Sequence, residues 1–353
     1  MKSFVPRVVF PTLDSLPRSY FLGHHRAGLT KMKALISQID LVVECRDYRI
    51  PLTSLNPLFE DIVTGKDRMI IYTKRDLAWN GAKGGRREHQ VENLVRSFNQ
   101  PAASLFATLN NDLPRSVTQS TNLILSAIRE KAIEKDALVN YKVMVIGMPN
   151  IGKSTLLNAF RNVGMKKAKV ARTGAQPGVT RNIGTTVKIL EATEGSHPAV
   201  HLLDTPGVFV PYVPDAEAML KLSLCGCVKD TIIPPTILAD YLLYHTNLKE
   251  PSAYGEYSPP TNEIDDLLAA VGRKTGRLQK GGATDTEAAA LWLIQRWRTG
   301  HLGQFLLDDV YENDLQYSQR SRDLLGTSIS QGRRAEKDFR RERSRKNESL
   351  QMG

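Results

Sequence analysis

The sequence predicts an α/β fold, a mostly parallel sheet with helices on both faces, followed by a small all-α domain. The sheet is predicted by short apolar runs that each end in a polar loop, with helical stretches at 115–135 and 153–160 between them. The all-α domain is predicted by consecutive helical patterns from residue 215 onward. Pro and Gly clusters separate these patterns, which cover residues 215–229, 234–248, 263–272 and 285–298.

The first loop with distinctive chemistry follows the apolar run 68–72 and consists of Thr73, Lys74, Arg75 and Asp76. A carboxylate such as Asp76 can accept both N–H donors on a guanine edge, an arrangement that adenine does not offer. The stem of Lys74 can cover the base plane while its charged head stays in water. Taken alone, these four residues fit an aspartate at the start of a helix at least as well.

The strongest motif follows the apolar run 141–146. Residues 147–154 read Gly-Met-Pro-Asn-Ile-Gly-Lys-Ser and lead into a helical stretch. The backbone N–H groups of such a turn surround phosphate oxygens at the start of a helix, whose dipole also favours anions. We expect Lys153 to reach the β- and γ-phosphates and the Ser154 hydroxyl to bind Mg²⁺. The predicted phosphate-binding residues are Asn150, Ile151, Gly152, Lys153, Ser154 and Thr155.

The third loop, Asp-Thr-Pro-Gly at 204–207, ends the apolar run 199–203. A carboxylate at a strand end, here Asp204, can hold Mg²⁺ through water, and the Gly207 N–H can sense a γ-phosphate. Alone, this loop is an ordinary turn. Its position 50 residues beyond Ser154 makes it far more specific.

A Gly/Pro-rich stretch, 173–182, lies between the second and third loops and is typical of a mobile segment. Thr180 in this stretch is the candidate for a second Mg²⁺ hydroxyl ligand. A triphosphate could order such a segment, and hydrolysis could release it.

Together the three loops predict a site for GTP or GDP with Mg²⁺, but their order is unusual. In most GTPases the base-reading loop comes last, whereas here 73–76 precede both phosphate-side loops. The sequence therefore predicts a circularly permuted P-loop GTPase domain with its seam in the helical stretch 115–135. A metabolic P-loop kinase or ATPase is an alternative, against which Asp76 and the loop 204–207 both argue.

Beyond these loops, the chain resembles the circularly permuted GTPases of the YlqF/YawG type over about residues 18–310. Residues 20–29 resemble the family's amino-terminal Trp-Phe-Pro-Gly-His-Met segment, 39–52 its strand ending in Asp-x-Arg-Ile-Pro, and 298–308 its closing signature. Within the family, the members associated with mitochondrial ribosomes are the most similar. The resemblance implies a GTP-hydrolysing assembly factor for the mitochondrial large ribosomal subunit, which binds rRNA or a precursor particle in the GTP state and leaves on hydrolysis. An RNA-binding scaffold with weak or no turnover is the alternative.

The resemblance also implies roles for individual residues. A histidine at the position of His24 is proposed to approach the attacking water, and an asparagine at Asn150 holds K⁺ beside the phosphates in related GTPases. Ala107 and Thr108 fall by position in the ribose-side loop, although a clean Ser-Ala-Lys is missing. Thr73 stands where the family often has Asn, and its hydroxyl can still donate to the base. The alternatives are a helix-start histidine that touches solvent or RNA, and an asparagine that merely braces the loop.

Hydrolysis requires a group that aligns water on the γ-phosphorus. The residue after Gly207, where many GTPases carry a water-orienting Gln, is Val208, whose isopropyl group cannot orient water. Arg172 or Arg181 could act as an arginine finger, but arginines in mobile loops more often bind solvent or RNA phosphate. We expect slow intrinsic hydrolysis that a ribosomal partner accelerates. The candidate catalytic residues are His24, Asn150, Lys153 and Thr180.

The charge and the cysteine content indicate which classes of partner and which compartment the protein has. A net charge of +11 favours a polyanionic partner such as RNA or a membrane surface. Residues 333–346 carry eight Lys or Arg and three Asp or Glu, which indicates an RNA-binding arm or, alternatively, a solvated helix. Three cysteines suggest a reducing compartment, and Cys225 and Cys227 are interpreted as packing residues rather than metal ligands. No apolar run reaches the roughly 18 residues of a membrane span, so no transmembrane segment is expected.

The chain is expected to divide into four parts. Residues 1–18 are interpreted as a leader or flexible start, in which three basic residues stand against one acidic residue. Composition alone leaves mitochondrial import open, and the resemblance favours it. Residues 19–214 form the GTPase domain, 215–312 the helical domain and 313–353 a basic, disordered tail. The expected location is the mitochondrial matrix, with peripheral association with the inner membrane as a further expectation.

Overall fold

The computed structural model describes residues 4–11, 13, 16–17, 23–79, 85–135, 140–166, 186–193, 198–209, 213 and 215–311. Its strands are β1 (Leu41–Asp47), β2 (Asp67–Thr73), β3 (Ala103–Phe106), β4 (Asn140–Gly147), β5 (Val187–Leu190) and β6 (Ala199–Asp204). Its helices are α1 (Gly23–Leu35), α2 (Glu60–Val63), α3 (Gly85–Asn99), α4 (Pro114–Glu134), α5 (Lys153–Met165), α6 (Ala216–Leu224), α7 (Pro235–Lys249), α8 (Ile264–Thr275) and α9 (Thr286–Arg298).

The strands form one six-stranded sheet in the order β3-β2-β1-β4-β6-β5. β5 pairs antiparallel with β6, and the other four pairings are parallel. The predicted α/β fold with a mostly parallel sheet is therefore confirmed. β5 itself was not predicted, because a strand of four residues is too short for its side-chain alternation to stand out.

The chain path through the sheet matches the predicted permutation. β1 lies in the middle of the sheet, between β2 and β4, and the chain first builds outward from β1 to the edge strand β3. α4 then returns the chain to the centre, where β4 pairs with β1. This helix of 21 residues occupies the predicted seam at 115–135.

Both faces of the sheet are covered by helices. Along β1, Leu41 and Val43 join an apolar cluster with side chains of α4 and α5, whereas Val42 joins a second cluster with Met32 of α1 and Phe59 beside α2. This alternation follows from the two-residue period of a strand. A parallel sheet buried on both faces has its functional loops at one edge, beyond the carboxyl ends of the strands.

Residues 215–311, here called the helical region, contain the four helices predicted from the sequence. α6 ends at Leu224, five residues before the predicted end, because the chain turns at Gly226 with a φ of 80°. The apolar cluster beneath α4 and α5 continues without interruption into the helical region, where it includes Leu242 and Trp297. The sheet and the helical region are therefore packed on one another.

The described residues near the amino terminus lie on the helical region. The Arg7 guanidinium pairs with the Asp240 carboxylate on α7, and the Phe10 ring packs edge-on against Tyr241 at 5.1 Å. Tyr244 donates a hydrogen bond to the Val8 carbonyl over 3.1 Å. These contacts position part of the segment 1–18, whose interpretation as a leader or flexible start stays a prediction.

Candidate active site

The loops that follow β1, β2, β4 and β6 meet at the carboxyl edge of the sheet. In the sheet register Asp47 pairs with Thr73, and Val145 pairs with Asp204. Because these strands are parallel neighbours, the residues that follow them are side by side although they are far apart in the chain. The structure thus brings together all three loops that the sequence singled out.

The loop 147–154 has the backbone conformation of a phosphate-binding turn. Gly147 has a φ of 148°, and a Cβ there would lie 2.6 Å from the Cys45 carbonyl oxygen, so only glycine fits. Asn150 and Gly152 also have positive φ values, of 59° and 97°. These left-handed residues fold the loop back over the first turn of α5, where the free N–H groups of the helix start.

Lys153 is almost completely buried beneath this loop. Its Nζ donates to the Met148 carbonyl over 2.7 Å. Burial lowers the pKa of Lys153, and the nearby Asp204 carboxylate opposes that shift. The ammonium group is held within the loop, as a phosphate ligand requires.

Ser154 and Asp204 form the oxygen-rich part of the site. The Ser154 hydroxyl donates to Asp204 Oδ2 over 3.3 Å, and Asp204 Oδ1 is buried with no hydrogen-bond partner among the described residues. Burial raises the pKa of Asp204, against the opposing effect of Lys153. A hydroxyl beside a carboxylate with an unpaired buried oxygen suits a hard cation, so these residues fit Mg²⁺.

The loop 204–207 presses against the phosphate loop. A Cβ at Gly207 would lie 2.5 Å from the Pro149 Cα, and the Val208 N–H donates to the Gly147 carbonyl over 3.2 Å. On the other side, Pro206 packs against Gly28 of α1, where a Cβ would lie 2.9 Å from the proline Cγ. The loop 204–207 is therefore packed between the phosphate loop and α1.

The base-reading loop is anchored differently from our expectation. The Thr73 hydroxyl lies 3.2 Å from the Arg46 carbonyl and within hydrogen-bond distance of the Ile151 carbonyl, so it braces the phosphate loop, and its contact with a base stays a prediction. Lys74, with a φ of 60°, donates from Nζ to Asp47 Oδ2 over 2.9 Å and to the Asn150 carbonyl over 2.8 Å. The Lys74 head is thus held between two loops, although its side chain stays 22% exposed.

Asp47 is a site residue that sequence reasoning missed. Its fully buried carboxylate accepts from Lys74 and from Arg49, whose Nε lies 3.0 Å away. Burial alone would raise the pKa of Asp47, but Arg49 and Lys74 together hold it well below its ordinary range. The family-like Asp-x-Arg-Ile-Pro segment was the available signal, yet nothing in its spacing indicated Lys74 as the partner.

Asp76 is half-buried, and Asn110 orients it. Burial raises the pKa of Asp76, and hydrogen bonds from its own backbone and from the Asn110 side chain oppose the rise. The Asn110 amide is itself fixed, because its Oδ1 accepts the Asp112 N–H over 3.1 Å. Arg75 points away toward α3, where its Nε donates to Glu92 over 2.8 Å. Asn110 was also missed by the sequence analysis.

The loop after β3 lies beside the base-reading loop. The Ala107 N–H donates to the Tyr72 carbonyl over 2.7 Å, and the Ala107 carbonyl accepts from the Arg75 N–H over 3.1 Å. The Thr108 N–H donates to the Ser120 hydroxyl. Both Ala107 and Thr108 are buried. Their position next to 73–76 keeps them as proposed ribose-side residues.

The helical region contacts the phosphate loop at the turn around Gly226. The Asn150 side chain donates from Nδ2 to the Gly226 carbonyl over 3.3 Å. Arg298 of α9 holds this turn, since its guanidinium donates to the Ser223 and Leu224 carbonyls, each over 2.8 Å. This contact was invisible in the sequence, and it orients the amide that we expected to bind K⁺.

The turn also contains two of the cysteines. Cys225 and Cys227 are buried free thiols, as is Cys45 of β1. Burial raises the pKa of Cys227 to about 11 and that of Cys45 to about 12. Burial also raises the pKa of Cys225, so all three thiols are protonated at neutral pH.

Several predicted residues fall outside the described part of the chain. Thr180, Arg172 and Arg181 are among them, as is the basic segment 333–346. For His24 the backbone is described at the start of α1, one helical turn before Gly28, but its side chain is not.

Comparison with known proteins gives three results. A family model described as 50S ribosome-binding GTPase matches residues 142–251. The chain is 37% identical to Mitochondrial GTPase 1 of Schizosaccharomyces pombe over 89% of this chain and 95% of that protein. It is 32% identical to Mitochondrial ribosome-associated GTPase 1 of Ictalurus punctatus over 86% of this chain and 96% of that protein. The crystal structure of GNP-bound YlqF from T. maritima, 20% identical, covers 78% of this chain and 94% of its own with a TM-score of 0.52, which supports the fold.

Proposed function

The chain belongs to the mitochondrial GTPase 1 family, and from this premise we propose that it is a GTPase that promotes assembly of the mitochondrial large ribosomal subunit. The observation that carries the proposal is similarity over 86% of the chain to a protein named for mitochondrial ribosomes, combined with the meeting of the three predicted nucleotide loops at one sheet edge. GTP hydrolysis is the activity of the family. The particle on which it acts and the RNA it touches are the proposed part.

We assign the phosphate side of the site to the loop 147–154. Its N–H groups surround the phosphates, and Lys153 neutralises the β- and γ-oxygens once a triphosphate draws its ammonium away from the Met148 carbonyl. Ser154 and Asp204 are the Mg²⁺ ligands, joined by Thr180. The ion neutralises charge on the β- and γ-phosphates when bound.

We assign base selection to Asp76. Its carboxylate accepts the two guanine N–H donors and is held for this by Asn110. Lys74 lies along the base while Asp47 and the Asn150 carbonyl fix its head. Because a buried carboxylate left unpaired by adenine is costly, the site rejects ATP.

Hydrolysis falls to residues other than Val208. Asn150 is the proposed K⁺ ligand, and its Nδ2 contact with the Gly226 carbonyl holds this side chain beside the phosphate loop. K⁺ beside the phosphates supplies the positive charge of an arginine finger. His24 is the proposed water-aligning group, which its location on α1, the helix that packs on Pro206, supports. The intrinsic rate is slow without the ribosomal partner.

The nucleotide state controls the helical region in this proposal. Residues 19–214 serve as the nucleotide-binding domain and 215–312 as the domain that responds. Two connections support the coupling, the covalent path from Gly207 into α6 and the hydrogen bond between Asn150 and Gly226. The GTP form binds the precursor particle, and hydrolysis releases it.

The proposed location is the mitochondrial matrix, peripheral to the inner membrane. Relatives named as mitochondrial support the compartment. Among the described helices, none is both long and apolar enough to span a bilayer. The segment 333–346 is proposed to bind rRNA phosphates.

Co-sedimentation of the full-length protein with mitochondrial large-subunit precursors tests the proposal. The particles are incubated with protein carrying a non-hydrolysable GTP analogue or GDP at one salt concentration, and small subunits serve as the control. We expect binding to large-subunit particles with the analogue and release with GDP. Equal binding in both states contradicts the coupling, because a ligand without differential affinity shifts no equilibrium.

Lys153→Ala separates the GTPase from the RNA-binding scaffold. The proposed GTPase loses hydrolysis and nucleotide-dependent release in this variant. A scaffold supports assembly equally well with and without Lys153, and ATP competition for the bound nucleotide identifies a kinase or ATPase.

A further inference from the structure

Aromatic rings and basic side chains alternate on one surface of the helical region. The Arg277 and Arg296 guanidinium carbons lie 4.9 and 5.5 Å from the centroid of the Trp292 ring. The Tyr257 ring meets Trp292 edge-on at 5.6 Å, and Lys274 Nζ lies 5.1 Å from the Tyr257 centroid. We call these five residues, from the end of α8, the turn after it, α9 and the loop before α8, the aromatic–basic surface.

This surface is positively charged and accessible. Residues 273–280 contain four Lys or Arg and no Asp or Glu. Lys274 is 49% exposed, and the neighbouring Arg273 and Lys280 are exposed as well. Glu256 lies 3.6 Å from Lys274 and offsets one of these charges. Among residues 273–280 and Glu256, four basic side chains therefore stand against one carboxylate.

The rings also fix the cations in place. A guanidinium stacked on an aromatic face loses rotamer freedom before any ligand arrives. Arg277 Nη1 also donates to the Thr275 carbonyl over 3.2 Å, and Lys274 Nζ donates to the Glu256 carbonyl over 2.6 Å, so both cations are held in position. Arg296 Nε is buried with no hydrogen-bond partner in the described part of the chain. Such pre-orientation reduces the side-chain entropy that is lost when a ligand binds. A mobile surface lysine loses more side-chain entropy on binding.

We propose that the aromatic–basic surface binds single-stranded RNA, with Lys274, Arg277 and Arg296 on the phosphates and the guanidinium planes available for stacking by bases. RNA-binding surfaces of this type combine backbone charge neutralisation with planar stacking groups. This inference rests on the proposed function, since it names a contact site for the RNA of the particle.

The same phosphate chemistry is offered by anionic lipids, and the structure favours RNA. A tryptophan that enters a membrane interface needs a free ring, whereas both arginines stack on Trp292. Leu278 and Leu291 are exposed nearby, at 46% and 39%, so vesicles belong in the test.

The test compares full-length variants by fluorescence anisotropy with a short mixed-sequence oligoribonucleotide across a salt series. Lys274→Gln/Arg277→Gln/Arg296→Gln removes three phosphate contacts. The salt slope is expected to become shallower by about 2, at about 0.7 per contact, with affinity falling about tenfold or more. The control Arg115→Gln/Lys131→Gln/Lys135→Gln makes the same charge change on and next to α4 and is expected to leave most of the binding intact.

A second variant tests the rings without changing charge. Trp292→Leu removes the surface on which both arginines stack, and we expect weaker RNA binding, with Trp292→Phe recovering most of it. A thermal melt checks that each variant is folded. A general charge effect predicts instead that Trp292→Leu binds RNA like the wild type. It also predicts that both triple variants lose the same amount of RNA affinity. Either result overturns the proposal.

Vesicles of phosphatidylcholine with cardiolipin complete the design. The proposal is also overturned if the first triple variant loses vesicle binding and keeps RNA binding. Failure here is distinguishable from failure of the proposed function, because wild-type co-sedimentation with large-subunit particles is measured independently. If the wild type binds the particles as proposed, and the Lys274→Gln/Arg277→Gln/Arg296→Gln and Trp292→Leu variants bind RNA like the wild type, only the aromatic–basic surface is refuted.

Discussion

The Arg49 guanidinium stacks on the Trp297 ring, with its central carbon 4.7 Å from the ring centroid, and both side chains are buried. The same guanidinium pairs with Asp47, which also holds Lys74 of the base-reading loop. In addition, the Arg49 carbonyl accepts the Leu307 N–H over 2.8 Å. One buried residue therefore connects the nucleotide loops to α9 through its side chain and to the segment that follows α9 through its backbone.

Arg49→Met tests the weight of this connection. The substitution leaves the buried Asp47 carboxylate with Lys74 as its remaining cation, and breaking a buried pair from one side costs about 3 kcal/mol. We expect the free energy of unfolding in urea to fall by about that amount. Arg75→Met is the control, because Arg75 pairs with Glu88 and Glu92 at a more exposed position and should cost at most about 1 kcal/mol. Equal losses would contradict the assignment.

His245 on α7 should make the stability of the protein sensitive to acid. Its ring nitrogens are buried with no hydrogen-bond partner among the described residues, between the rings of Tyr241 and Tyr244. Burial, together with Lys221 and Lys249, lowers the pKa of His245 to about 3, against a small opposing effect of Asp309. In the unfolded chain this histidine binds a proton below about pH 6.5. In the folded chain it does so only below about pH 3.

Because the unfolded state binds more protons between about pH 6.5 and 3, stability rises with pH in this window and falls on acidification. Between pH 7 and pH 5 the wild type should lose about 2 kcal/mol more than His245→Phe, in which no group titrates at this position. Urea unfolding of both proteins at the two pH values measures the difference. Parallel pH profiles would show that His245 is protonated in the folded protein.

Chemistry that is local in the chain could be predicted from the sequence. The phosphate loop could be predicted because its glycines, Lys153 and Ser154 are consecutive and follow a recognisable strand. The contacts of Asp47 with Lys74 and of Asn150 with Gly226 could not, because each joins segments that only the folded sheet brings together. The Lys74 head was expected in water for the same reason.

Gly226→Ala tests the contact between the helical region and the phosphate loop. A Cβ at Gly226 would lie 3.0 Å from Asn150 Nδ2, so the amide must turn, and the φ of 80° adds backbone strain of about 1 kcal/mol. Gly276→Ala is the matched control, since Gly276 has a φ of 71° with nothing within 4 Å. Both variants should lose similar stability, but only Gly226→Ala should reduce GTP hydrolysis in K⁺ buffer relative to Na⁺ buffer.

The outcome decides between two roles of Asn150. If Gly226→Ala and Gly276→Ala hydrolyse GTP alike and keep the same K⁺ to Na⁺ ratio, the amide only braces the loop. The K⁺ site is supported if Gly226→Ala lowers the ratio of GTP hydrolysis in K⁺ to that in Na⁺, Gly276→Ala does not, and Asn150→Ala has the same effect as Gly226→Ala.

Asp76→Asn should change which base the protein accepts. The substitution replaces the carboxylate that accepts two guanine N–H groups with an amide. The amide oxygen can still accept one of them, but the amide N–H group faces the other guanine N–H group. We expect GTP affinity to fall at least about 100-fold, or about 2.7 kcal/mol. Xanthosine triphosphate carries a carbonyl where guanine has its amino group, so the new N–H has an acceptor and this nucleotide should bind better than GTP. Competition against a fluorescent nucleotide measures both affinities.

Two further variants locate the cause of that change. Lys153→Ala should weaken guanosine and xanthosine triphosphates alike, because it acts on the phosphates that the two share. Asn110→Ala should weaken GTP by a smaller factor without favouring xanthosine, since it frees the Asp76 carboxylate without altering its acceptors. If Asp76→Asn still prefers GTP, the residue that selects the base lies outside the loop 73–76. The interpretation of 73–76 as the base-reading loop of a permuted domain would then be wrong.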